Sequence, residues 1–186
     1  MPVLVTPSAD PGPLSVEEAS RSLGRIVAPV DLSPCSRYQV NVAGSVAAAL
    51  AVPLLLVHVL EPVQTRLLTR FHLTGLDAQR RSTAGDALER MQSTDVAGCR
   101  SEALILSGDP AEEIAKVVRD RHAGLVVMGL HASPLPGPRM GSVTYRTLCL
   151  SSALVLALPP KAVAAVNPAT GVAVDCHEAS RHQGVG

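Results

Sequence analysis

The residues of this chain that could do chemistry are few, and they sit at the ends of apolar runs: Asp31, His58, His131, Glu112-Glu113, and Ser142 and Thr144 beyond Gly141. Leu125 to Met128 runs into Gly129, and a short loop then closes at Gly141-Ser142. That is the pattern of a buried strand delivering a loop to a helix N-terminus, where backbone N–H groups can surround a phosphate. Asp31 ends another apolar run. It is placed either to accept hydrogen bonds from sugar hydroxyls or a base amine, or to cap the turn and helix that follow. Ser142 and Thr144 carry the same two readings, phosphate contact and ordinary capping.

The other candidates carry less. His58 and His131 have no carboxylate at diagnostic spacing and no paired nucleophile, so no catalytic assembly emerges, and His58 reads as a packed histidine near a strand end. Glu112 and Glu113 follow Asp109-Pro110, and the favourable field at a helix start explains them better than a metal does. Neither a Gly-x-x-x-x-Gly-Lys-Ser/Thr phosphate loop nor a Gly-x-Gly-x-x-Gly fingerprint occurs. Cys35, Cys99, Cys149 and Cys176 are far apart, with no Cys-x-x-Cys pair. They read as reduced thiols of a cytoplasmic protein rather than as a zinc or dithiol centre.

Composition narrows the partners. Sixteen basic and sixteen acidic side chains cancel over 186 residues, leaving no overall field to attract nucleic acid or an anionic membrane. One Phe, two Tyr and no Trp leave no stacking platform for single-stranded nucleic acid. The N-terminus lacks the basic start and apolar core of a signal peptide. Gln39 to Leu60 is uncharged and long enough to span a bilayer, but Asn41, Gly44, Ser45 and Pro53 divide it into a helix and a compact strand.

Those residues need a scaffold, and the pattern supplies one. Residues 1–21, rich in Pro, Ser, Gly and acidic residues, read as a flexible leader, 22–160 as one α/β domain, and 161–186 as a loosely ordered tail. Apolar runs at Ile26–Val30, Leu54–Leu60, Glu102–Leu106, Leu125–Met128 and Ala153–Leu158 predict five strands. Between them lie helical patterns: one starting at Ser33-Pro34 with Val40, Ala43, Ala47 and Leu50 inward, one over Leu76–Gly98, one capped by Asp109 with Pro110 first, and one over Ser142–Leu150. Strands alternating with helices specify right-handed crossovers and one mainly parallel, doubly wound sheet covered on both faces. Ligands of such sheets bind beyond the carboxyl ends of the strands, where strand order reverses. The uncharged Ala153–Leu158 strand, at a sheet edge, invites a second chain.

Five segments in this order resemble the universal stress protein family over Leu23 to Pro159. They are Arg25-Ile-Val-Ala-Pro-Val-Asp31-Leu-Ser33, Leu56-Val-His58-Val59, Gly108-Asp-Pro-Ala-Glu-Glu-Ile114, Leu125-Val-Val-Met-Gly129-Leu-His131 and Gly141-Ser-Val-Thr144. The resemblance implies a five-stranded doubly wound domain of the adenine nucleotide alpha hydrolase type, a homodimer through the last strand, here Ala153 to Leu158, and a stress-response role. In the nucleotide-binding branch it implies ATP with magnesium. Pro29 and Asp31 at the end of the first strand and main-chain groups near Val59 would then contact the nucleoside. Gly129, Gly141, Ser142 and Val143 would belong to the phosphate and ribose loop. This chain departs from that motif: Ala132 stands where the second glycine is expected, and the spacing to Gly141 is one residue short. Pro134, Pro136 and Pro138 also remove three N–H donors from the loop.

Three functions follow as expectations. The first is a weak adenine-nucleotide-binding or sensing dimer with no fast chemistry of its own. The second is a dimeric interaction module whose nucleotide site has decayed. The third is slow ATP hydrolysis.

Overall fold

The computed structural model describes residues 2–6, 15–33, 35–62, 70–96, 98–130, 142–159, 165–166 and 173–174. The elements in chain order are β1 (Val3–Val5), α1 (Val16–Ser22), β2 (Ile26–Pro29), α2 (Ser36–Leu50), β3 (Leu54–Leu60), α3 (Arg70–Asp95) and β4 (Ser101–Ser107). There follow α4 (Pro110–Asp120), β5 (Leu125–Gly129), α5 (Ser142–Leu150), β6 (Leu154–Leu158), β7 (Ala165–Val166) and β8 (Ala173–Val174).

The strands β2 to β6 form a parallel sheet in the order β6-β5-β2-β3-β4, as the alternating pattern predicts. Because β2 pairs with β3 on one side and β5 on the other, the winding reverses between β2 and β5. The count expected from sequence, five, is corrected to six. Val3–Val5, in the segment read as a flexible leader, lies antiparallel against β6, with Val3 opposite Ala157, Leu4 opposite Leu156 and Val5 opposite Val155. Beyond the sheet, β7 and β8 pair as a separate antiparallel ribbon.

Side chains alternate across each strand, so one apolar run feeds two cores. Ile26, Ala28, Leu54, Leu56, Leu125 and Val127 pack with Val40, Ala43 and Ala47 of α2 and Leu88 and Met91 of α3. Val27, Leu55, Val57, Val126 and Met128 pack on the opposite face with Ile114, Val117 and Val118 of α4, and Val143 and Leu148 of α5 join them. Leu56 is fully buried, and truncating such a residue to Ala costs about 2–5 kcal/mol.

The helix starts follow local chemistry. Asp109 caps α4 by accepting the N–H groups of Ala111 (3.1 Å) and Glu112 (3.2 Å), with Pro110 at the first position, as predicted. Helix α2 starts at Ser36 instead of Pro34, because Asp31 makes its own turn by accepting the Ser33 N–H at 3.0 Å. Leu50, expected inward, is exposed. Helix α3 spans Arg70–Asp95, beginning six residues before the start expected at Leu76 and ending before Gly98. The uncharged stretch divides into α2 and β3, and among the described residues no helix is long and apolar enough to cross a membrane.

Candidate functional site

The ladder between β2 and β5 lasts for two register pairs, Ile26 with Leu125 and Val27 with Val126. Above them the strand ends separate, and polar backbone groups need other partners. Gln39 of α2, only 3% exposed, supplies them. Its side-chain nitrogen donates to the carbonyls of Pro29 and Val127, and its oxygen accepts the Gly129 N–H at 3.1 Å. One carboxamide thus joins both strands at the point where the winding reverses.

A cleft of about 580 Å³ opens above this joint. The volume falls in the range of small-ligand sites. Six of the seven residues assigned to a nucleotide site in sequence line it together: Pro29 and Asp31 after β2, Val59 in β3, Gly129 in β5, and Ser142 and Val143 at the start of α5. Gly141 lies outside the described residues, as do Ala132 and the three prolines of the loop.

Each element is pinned where it meets the cleft. The Thr144 hydroxyl donates to the Gly129 carbonyl at 3.1 Å, and the Leu130 N–H donates to the Leu158 carbonyl at 2.6 Å. The α5 N-terminus is therefore anchored to the end of β5, its first N–H groups at the cleft wall. His58 donates from Nδ1 to the Val30 carbonyl at 2.8 Å and, half-buried near the end of β3, lines the same cleft. His131 lies outside the described residues.

Asp31 does capping work. Its Oδ1 accepts the Ser33 N–H and the Ser36 hydroxyl, closing a turn in which Leu32 adopts the left-handed conformation (φ 62°). That conformation is costly for a branched side chain and ties this turn to the strand end it surmounts. Both sequence readings of Asp31 remain compatible with its place, because the capped carboxylate also faces the cleft.

Sequence reasoning missed Gln39, Glu61, Arg80 and Ile114 as cleft residues. Gln39 was detectable: it lies four residues before Ala43 and eight before Ala47, a polar residue on an apolar helical face. Arg80 gave no such signal. Its guanidinium donates twice to the Glu61 carbonyl, each at 3.1 Å, and pairs with Asp77 at 3.5 Å, tying α3 to the end of β3. The cleft thereby gains one cation beside two carboxylates, Asp31 and Glu61.

Away from the cleft, Arg146 of α5 donates to Asp109 at 2.6 Å and to Glu112 at 3.3 Å. The Arg146 guanidinium, helped by the Glu112 and Ala111 N–H groups, holds the Asp109 carboxyl below its ordinary range. Glu112 is thus engaged at a helix start, in line with the electrostatic reading. Among the described residues no group of three or more His, Cys, Asp or Glu is placed to hold a metal ion. Cys99 and Cys149 are free thiols, and burial pushes the Cys99 thiol up, away from the reactive thiolate.

Known proteins share this architecture. The universal stress protein family model matches residues 23–159. Among solved structures, universal stress protein UspA from Lactobacillus plantarum superposes with a TM-score of 0.63 at 20% identity, over 73% of this chain and 97% of that one. A member of the family from Burkholderia pseudomallei gives 0.57 at 24% identity, over 75% and 98%. A universal stress protein in complex with cAMP gives 0.55 at 20% identity, over 75% and 98%. No curated protein sequence matches the chain. The doubly wound sheet, its cleft at the reversal point and a family match spanning residues 23–159 lead to one conclusion: the chain belongs to the universal stress protein family.

Proposed function

We propose that the cleft is a weak adenine-nucleotide site in a cytoplasmic homodimer that senses nucleotide during stress. The observation that carries this reading is the convergence of Pro29, Asp31, Val59, Gly129, Ser142 and Val143, from four separate stretches of chain, on one cleft at the winding reversal. The base would lie against Pro29 and the backbone of Val59, and the ribose would reach Asp31. The phosphates would meet the N-terminus of α5 at Ser142 and Val143. Magnesium would arrive on the phosphates of ATP. A related structure that holds cAMP supports the same ligand class.

Weak binding follows from the loop's missing donors. Pro134, Pro136 and Pro138 remove three N–H groups from the loop, and Ala132 adds a methyl group where a glycine could adopt positive φ. Titration calorimetry with Mg·ATP, on protein first shown to be nucleotide-free, tests the reading. Binding is expected, and Asp31→Asn should weaken it about ten-fold, the scale of one charge-assisted hydrogen bond. The asparagine keeps an oxygen for the Ser33 N–H, so the turn is preserved. No heat at millimolar ATP would remove the proposal.

A second reading, a dimeric interaction module with a decayed site, is favoured by one observation. Asp31 already serves the start of α2 through Ser33 and Ser36, a sufficient reason for its presence without a ligand. It predicts a dimer with no nucleotide response, and Asp31→Asn indistinguishable from the parent.

A further inference from the structure

The outer edge of β6 is occupied by β1 of the same chain. Backbone N–H and C=O groups on a strand edge pair with one neighbouring strand at a time. A second copy of the chain therefore cannot pair with Val155–Ala157 while β1 lies there.

The occupant resembles what it excludes. In an antiparallel pair of two β6 strands with the two-fold axis at Leu156, Leu156 faces its own copy, and Val155 of one copy faces Ala157 of the other. In this chain Val3 faces Ala157, Leu4 faces Leu156 and Val5 faces Val155. Val3 and Leu4 thus stand where Val155 and Leu156 of a second copy would stand, in the same register and direction. Val5 replaces Ala157 by another small aliphatic residue.

The cap is also lightly held. Val3 is 48% and Leu4 56% exposed, so β1 buries little of these two side chains. The strand is three residues long, and Pro2 and Pro7 bracket it in sequence, which prevents its extension along β6.

We propose that β1 is an intramolecular competitor for the β6 edge, at which the homodimer reading above pairs a second copy of this chain. Release of β1 permits β6 to pair with β6 of another copy, and rebinding of β1 restores the monomer. This deepens the homodimer reading above and rests on it.

The test compares the full chain with a version lacking residues 2–9 and with Val5→Pro, which removes a β1 N–H on the side facing Val155 of β6. Each is followed by light scattering over a concentration series, and by hydrogen exchange at the Val155–Ala157 amides that face away from β5. The expected result is at least a ten-fold tighter dimer for both variants than for the full chain, with those amides protected in the dimer. Equal dimerisation of all three proteins overturns the competitor and leaves the homodimer standing. Monomers throughout overturn both. A variant dimer whose β6 amides exchange rapidly places the contact elsewhere and overturns the proposal.

Discussion

The side-chain oxygen of Gln39 accepts the N–H of Gly129 at 3.1 Å, joining positions ninety residues apart at the floor of the cleft. The same side chain donates to Pro29 and Val127, so a single residue completes the hydrogen bonding that the β2–β5 ladder leaves open. Gln39→Leu keeps the approximate volume and strands three backbone groups. A loss of about 1–3 kcal/mol is expected, the usual cost of a buried unsatisfied group, with water from the cleft relieving part of the remainder. Urea unfolding measures it, and a loss below about 0.5 kcal/mol would show that the joint is held by something else.

Gly124 has no room for a side chain. A Cβ built there would lie 1.7 Å from the Ser22 carbonyl oxygen and 2.8 Å from Leu23 Cα, both backbone atoms that cannot swing aside. The segment after α1 is thus packed directly on the entry to β5. Gly124→Ala should cost about 3 kcal/mol or more, seen as a lowered urea midpoint. A near-neutral outcome would mean that α1 and its connection to β2 do not dock in this way.

Ala51 ends α2 in the left-handed conformation, φ 53° and ψ 37°, which a Cβ disfavours. The residue is exposed, so nothing is lost by removing its methyl group. Ala51→Gly is expected to raise stability by about 0.5–1 kcal/mol, less the extra flexibility of the unfolded chain. Thermal melting of the two proteins decides the matter, and a lower melting point for the variant contradicts it.

Asp109 predicts a response to acid. Its carboxyl is held below the ordinary range by Arg146 and by the N–H groups of Glu112 and Ala111. Its folded value lies beneath its unfolded one, so its contribution is complete above the unfolded value and disappears as pH falls through the folded value. Asp109→Asn retains a capping oxygen and removes the charge. The melting-temperature gap between parent and variant should be present at neutral pH and shrink as the pH falls below the ordinary carboxylate range. Added salt should narrow it at neutral pH, since the Arg146 pair is open to solvent. A gap constant across that range would assign the effect to something other than ionisation.

What could be read beforehand followed the strength of local patterns. Leu54–Leu60 and Leu125–Met128 have no charge to place in water, so their burial and order were legible in the sequence. Val3-Leu4-Val5 was not, because three residues between prolines carry no measurable period and acquire meaning only against β6. The start of α2 went astray for another reason. Ser33-Pro34 is a good helix start, but Asp31 captures the Ser33 N–H first, and the helix begins two residues late. Of the cleft, Asp31, Val59 and Ser142 were reachable from strand ends and a motif, whereas Arg80 enters through a long-range contact with Glu61 that no spacing encodes.

The paired contacts at Gly129 and Thr144, with Leu130 bound to Leu158, have a consequence for how this molecule changes over generations. They close the base of the segment between Leu130 and Ser142 from outside it, using the strand end and the first turn of α5. These bonds use no atom of residues 131–141, so sequence changes there remove none of their donors or acceptors. Selection can tune or discard a ligand there while the scaffold persists, and drift in the segment is insulated from the cost that accompanies drift in the core.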